Sequence, residues 1–189
     1  MALARLREEA ELAHRNQGSF VFGEGSPYAR LVIVGEAPGE EEAETGRPFV
    51  GRAGKLLDGL LAQVTIARSE VWITNVVKHR PTRAVDDRLV NRPPTAAEVR
   101  ADLAWLQREL EILQPRVILC LGNLAASTLI HKNFKMTEER GRWFEGPYGS
   151  RILASYHPAF VLRRRGPEQE RLLEEVRRDL HEVKRAIME

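Results

Sequence analysis

Four short apolar runs constrain this chain more than any other feature. Residues 31–34 (LVIV), 71–74 (VWIT), 117–121 (VILCL) and 152–155 (ILAS) each have strand length and β-rich composition, and each is followed by a loop and a helical pattern. Thr95 with Glu98 forms a capping box, after which Val99, Leu103, Leu106, Leu110 and Leu113 recur at steps of four and three. The last helix starts at Pro167 and carries a stripe of Leu173, Val176, Leu180, Val183 and Ile187. Right-handed βαβ connections then predict an α/β fold, a three-layer α/β/α sandwich with a central four-stranded parallel sheet. At 189 residues, with 43% apolar and 30% charged side chains, one domain spanning 1–189 is expected.

Such a sheet binds ligands beyond the carboxyl ends of its strands. There the chain places Gly35 to Gly39 (GEAPG), Asn75, Gly122 with Asn123, and His157 to Ala159 (HPA). These are polar or glycine-rich segments, and one pocket lined by all four is the expectation. The first segment lacks the Gly-x-Gly of a dinucleotide site, and GRAGK at 51–55 is not a phosphate-binding P-loop. Two glycines and a proline at a strand end suit backbone amides held close to a flat ligand, or an ordinary βα turn.

A net charge of +2 does not announce a nucleic-acid partner, although the basic residues are clustered. Lys78, Arg80, Arg83, Arg88 and Arg92 fall within fifteen residues, and Arg163, Arg164 and Arg165 are consecutive. A solvated face is the plain alternative. Cys120 is the only cysteine and lies in an apolar strand, which excludes an internal disulfide or a cysteine metal site and reads as a small core residue. No apolar run reaches the about 20 residues of a membrane span, and no signal-peptide core is visible. A cytoplasmic or nucleoid-associated monomer is expected.

Four motifs together carry a family resemblance: GEAPGEEE at 35–42, TGRPFVGRAG at 45–54, ITNVVK at 73–78 and YHPA at 156–159. In order and context they resemble family 4 uracil-DNA glycosylases, over nearly the whole chain. The resemblance implies an α/β/α fold, uracil-containing DNA as partner, and hydrolysis of the N-glycosidic bond to leave an abasic site. It also implies roles. Phe49 stacks on a flipped-out uracil, Asn75 hydrogen-bonds its Watson-Crick edge, His157 faces its O2, and backbone at Gly35 and Ala37 closes around it. Bond cleavage drives negative charge onto O2, so donors aimed there are the main device. Core packing for Phe49 and a structural role for His157 are the competing readings. Some related families carry an aspartate or asparagine where this chain has Ala37; Glu36 and Glu42 remain as weaker candidates for orienting water or excluding the thymine methyl. The acidic run at 40–44 could equally be a solvated loop.

The chain also departs from the family. Family 4 members hold a [4Fe-4S] cluster on four cysteines, and the corresponding positions here are Glu8, Glu11, His79 and Asp102. Without thiolates no cluster is expected, nor any other cofactor or metal. An ion-pair network among these four is preferred to a harder metal site. The loop from Lys78 to Pro93 resembles the insertion of a branch that becomes covalently joined to uracil-containing DNA, but the nucleophilic histidine of that branch is replaced by Asn91. The expected phosphate contacts are Arg52, Lys55, Arg80, Arg83, Arg163, Arg164 and Arg165, with Asn91 near the DNA and the segment 160–162 (FVL) as a wedge. A uracil- or damage-binding protein with weak turnover, or a covalent crosslinker, stands as the alternative.

Overall fold

The computed structural model describes residues 2–16 and 18–189. Its elements run α1 (Ala2–His14), β1 (Glu24–Gly25), β2 (Leu31–Gly35), α2 (Glu40–Thr45), α3 (Arg52–Gln63), β3 (Trp72–Asn75), β4 (Thr82–Val85), β5 (Arg88–Asn91) and α4 (Ala96–Leu113). There follow β6 (Val117–Leu121), α5 (Asn123–Leu129), α6 (Met136–Glu139), β7 (Trp143–Glu145), β8 (Arg151–Ser155), α7 (Pro158–Leu162) and α8 (Gly166–Met188). No described helix is long and apolar enough to cross a membrane.

The four expected strands are β2, β3, β6 and β8, and they pair in parallel in the order β3-β2-β6-β8. The sheet is nevertheless six-stranded and mixed, because the short antiparallel strands β1 and β7 close its two edges. Strands of two and three residues give too little alternation to be read from sequence. Side chains divide by the two-residue period. Val32, Val34, Ile118 and Cys120 join Leu6, Leu106 and Leu110 on one face; Ile33, Ile73, Leu119 and Leu153 join Leu57, Leu61 and Leu180 on the other. Both faces are covered, which is why the central strands are apolar throughout. Cys120 is a buried core residue, as expected.

The helix faces hold charges that hydropathy does not reveal. On α4 the buried side chains include Asp102 and Glu109, whereas Val99 and Leu103 are only partly buried. On α8, Leu172 and Ala186 are buried more fully than the expected Leu173 and Ile187, and Asp179 is buried among them. Lys78, with no exposed surface, donates from Nζ to Glu109 Oε2 at 2.7 Å and to Thr74 Oγ1 at 2.6 Å. Removing one partner of such a pair costs about 3–5 kcal/mol, because the other charge is left buried alone.

A second network corrects the expected one. Asp102 and His79 do meet, with Nδ1 3.3 Å from Oδ2, but Glu8 and Glu11 are exposed and Glu11 pairs with Arg7. The helix instead contributes His14, whose Nε2 lies 2.7 Å from Asp102 Oδ1. Its buried stripe is Leu3, Leu6, Ala10 and His14, so Glu8 and Glu11 point elsewhere. Asp102 also accepts the Lys78 N–H at 2.6 Å, and Glu98 lies 3.5 Å from His79 Nε2. The neighbouring Asp102 raises the His79 pKa above its ordinary 6.5; burial opposes this and Glu98 adds to it. Burial works against the Asp102 carboxylate, but its hydrogen-bonding partners outweigh that and hold its pKa below 3.8.

The His79 contribution is complete below the unfolded value of 6.5 and is lost as pH rises through the raised folded value; the Asp102 contribution is lost only as pH falls below 3.8. The stability difference between the native protein and His79→Gln, measured by urea denaturation, should therefore be larger at about pH 5.5 than at about pH 8.5. Equal differences would remove the His79–Asp102 pair as its source.

Candidate functional site

The carboxyl ends of β2, β3, β6 and β8 open into a cleft of about 1050 Å³. Glu36 to Gly39 come from the first, Asn75 from the second, Gly122 and Asn123 from the third, and Tyr156 and His157 from the fourth. All four segments singled out from the sequence converge. Gly35 and Asn75 are partners in the β2–β3 ladder, and a Cβ on Gly35 would collide with Asn75 Oδ1 and the Phe49 ring. Glycine is thus what lets an amide and an aromatic ring close over one strand end. Asn75 is buried, and its Oδ1 has no hydrogen-bond partner. A buried acceptor left open costs about 1–3 kcal/mol and is best explained by a ligand that donates to it.

Phe49 is held against its own backbone preference. Its φ of 51° is in the left-handed region, which costs a non-glycine residue about 1–2 kcal/mol. Arg68 donates to Phe49 O at 3.0 Å and to Pro48 O at 2.6 Å while paired with Asp58 at 2.8 Å. Glu42 accepts from Val50 N and Gly51 N through Oε1, at 3.0 and 2.8 Å, and from Gly39 N through Oε2 at 3.2 Å. Gly54 completes the seat, because a Cβ there would strike the Phe49 carbonyl. The ring sits 5.5 Å from His157, tilted by 31°.

His157 caps α7, with Nδ1 accepting the Ala159 N–H at 3.1 Å. That bond places the ring proton on Nε2 and makes it a donor. Burial, with the Arg163 charge adding to it and Glu42 opposing, pushes the imidazole pKa down to about 4, so the ring is neutral near pH 7. Burial also raises the pKa of Glu36 above 4.5, against the pull of Arg163. Ala37, Glu36 and Glu42 all line the cleft.

The basic residues are less uniform than their sequence clustering. Arg52, Arg163 and Asn91 line the cleft, whereas Lys55 is exposed near Glu41 and Arg83 is exposed on β4. Arg80 is engaged within the protein, by Asn91 Oδ1 at 2.6 Å and Glu40 at 3.1 Å. Arg164 lies over the Phe160 ring at 4.4 Å and pairs with Glu168, and Arg165 is exposed at the start of α8. The expected wedge at 160–162 fails in its centre. Val161 has no exposed surface, and Phe160 stacks on Tyr156. Arg92 and Tyr156 also line the cleft, and Arg68 supports it through the carbonyls of Pro48 and Phe49. Arg68 is nineteen residues from its target carbonyl at Phe49, beyond any local pattern.

The residues at the cluster positions do not fit an iron-sulfur group. Glu8 and Glu11 are solvent-facing carboxylates, and Asp102 is already held by His14 and Lys78 N–H. Among the described residues no three His, Cys, Asp or Glu side chains are grouped to hold a metal ion. Because the Phe49 loop rests on Arg68, Arg68→Ala should speed amide hydrogen exchange at Val50 and Gly51 while leaving β6 and β8 protected. Unchanged exchange in that loop would show that Glu42 and Gly54 suffice to hold it.

Over 161 residues the chain is 42% identical to a type-4 uracil-DNA glycosylase of Thermotoga maritima, covering 85% of this chain and 80% of that protein. It is 40% identical to a type-4 uracil-DNA glycosylase of Archaeoglobus fulgidus over 158 residues, covering 80% and 76%. A type-5 uracil-DNA glycosylase of Pyrobaculum aerophilum is 32% identical over 159 residues, covering 71% and 63%. The family model described as the uracil DNA glycosylase superfamily matches residues 22–181, and the chain belongs to that superfamily.

Proposed function

We propose that this protein hydrolyses the N-glycosidic bond of uracil in DNA, releasing the base and leaving an abasic site. The observation that carries the reading is the open Asn75 amide, buried between Gly35 and Phe49. Uracil presents an N3–H donor beside an O4 acceptor, the complement of one side-chain amide. Cytosine presents the reverse, an N3 acceptor beside an N4 donor, and would leave the buried amide facing like groups. Phe49 supplies the stacking surface. Its seat, fixed by Arg68 and Glu42, sets the plane in which the base is read.

As the glycosidic bond breaks, the electron pair passes to uracil and O2 becomes anionic, while the sugar gains oxocarbenium character. The neutral His157 donates its Nε2–H toward that oxygen. A depressed pKa suits this role, because the ring never has to shed a proton before it donates. Glu42 acts through the loop, since both its oxygens already accept backbone N–H groups. Glu36 remains to orient water, and a partly buried carboxylate is a sufficient weak base for a sugar that is already cationic. The crosslinking alternative is disfavoured by two placements. Asn91 lines the cleft without a nucleophilic atom, and His79 faces Asp102 and Glu98 instead.

Single- and double-stranded oligonucleotides holding uracil, hypoxanthine, xanthine or thymine, treated with protein and then alkali, test the reading directly. Uracil strands should break; intact uracil strands would refute it. His157→Ala should lower the single-turnover rate by about 10²- to 10³-fold with DNA affinity nearly unchanged. In the native protein, no activity limb should fall near pH 6.5, and NMR should find this ring titrating at about 4. An unchanged rate in the variant removes His157 from the chemistry.

Turnover also predicts free DNA at the end of the reaction. The native protein should leave no denaturant-stable adduct with uracil-containing single strands on a gel, whereas Asn91→His places an imidazole at the cleft and should yield some. A shifted band from the native protein would replace hydrolysis by covalent capture.

A further inference from the structure

The segment between Arg80 and Arg92 is a two-stranded ribbon. β4 and β5 pair antiparallel as Thr82↔Asn91, Arg83↔Val90, Ala84↔Leu89 and Val85↔Arg88. Asp86 and Asp87 turn it, both in the left-handed region at φ 47° and 59°, the signature of a tight two-residue hairpin. It belongs to neither edge of the main sheet. An isolated hairpin is marginal in water, but this one is fixed at its root on two sides. Arg92 makes a bidentate pair with Glu98 of α4 at 2.8 Å and donates to Thr82 O at 3.0 Å; Arg80 reaches Glu40 of α2 at 3.1 Å. The ribbon is a braced arm.

Its root lines the cleft, through Pro81, Asn91, Arg92 and Pro93. Side chains alternate, so Leu89 shares a ribbon face with Asn91 and lies about 7 Å further out. Leu89 is 62% exposed, and opposite it stands only the small Ala84. The other face carries the exposed Arg83 and Arg88. A leucine held in water by a braced ribbon beside a cleft, with cationic side chains behind it, is suited to a partner that is both anionic and able to accept an apolar insert. Duplex DNA with one base removed from the stack is such a partner. In the 160–162 segment, by contrast, Val161 is in the core and Phe160 rests on Tyr156.

We infer that the β4–β5 hairpin is a DNA arm whose Leu89 enters the base stack beside the extruded nucleotide, with Arg83 and Arg88 held near the flanking phosphates. The inference rests on the reading of the cleft as a uracil site. It adds a task that the cleft does not perform: keeping the duplex open. A single strand has no such need, so Leu89 matters only when a pairing partner is present.

Two measurements separate this inference from the glycosylase reading. The first needs no chemistry: a duplex carrying a tetrahydrofuran abasic analogue next to 2-aminopurine reports unstacking by fluorescence. Native protein and Leu89→Phe should raise the signal, Val85→Ala on the other face should do the same, and Leu89→Ala should not. The second is single-turnover excision. Leu89→Ala should lose roughly tenfold on a uracil duplex and less than about twofold on the single strand. Failure of the native protein to unstack the duplex, an equal rise from Leu89→Ala, or equal loss on both substrates would overturn the wedge. A fluorescence rise without excision would leave the arm and refute the glycosylase.

Discussion

A single buried lysine organises the region beneath the cleft. Lys78 has no contact with water, so its charge must be matched internally, and the match with Glu109 and Thr74 fixes β3 against α4. Its own backbone N–H is bound by Asp102, which His14 approaches from α1. Two separate pieces of chain, α1 and α4, are therefore registered on the segment that begins at Asn75. A well-packed apolar replacement could be equally stable, but hydrogen-bonded charges tolerate far fewer arrangements than methyl groups do. That orientational demand is what a site needs three residues away.

The same segment carries a tether made of protein groups alone at two of the positions that the family resemblance assigns to cluster cysteines. Four thiolates on one inorganic group would tie α1, the loop after β3 and α4 together by metal bonds. Here His14, Lys78 N–H and His79 converge on Asp102 and join the same three pieces. The substitute differs in kind. It responds to proton concentration instead of redox state, and its strength depends on water being kept away from Asp102, which has no exposed surface. The network is therefore a structural tether, with no catalytic atom facing the cleft.

Much of this was legible in the chain. The four parallel strands lie within one residue of where their apolar runs placed them, and Gly35, Asn75, Phe49 and His157 meet at one pocket because parallel topology brings strand ends together. What the sequence hid shares a physical character. The edge strands are too short for a period. The helix positions of Asp102, Glu109 and Asp179 look solvent-facing until their partners on other elements are known. Arg68 resembles any surface arginine until it is seen holding the carbonyls of Pro48 and Phe49. The ribbon at 82–91 does carry a local signal, since Asp86 and Asp87 are turn residues between β-forming flanks.

If the cleft reads uracil as proposed, its selectivity comes from hydrogen-bond direction and not from charge. Burial raises the Glu36 pKa against the pull of Arg163, and both oxygens of Glu42 are occupied by backbone amides. The neutral His157, whose Nδ1 already accepts the Ala159 N–H, has only its Nε2–H left to offer; the amide of Asn75 has a donor and an acceptor. The ring is held by the Ala159 N–H, and the Asn75 amide is buried in close packing against Gly35. A base with the wrong edge would therefore lose hydrogen bonds without gaining substitutes, at about 1–3 kcal/mol for each buried group left unpaired. Two such mismatches, as cytosine would impose on Asn75, are enough to separate bases that differ by one amino group in otherwise similar rings.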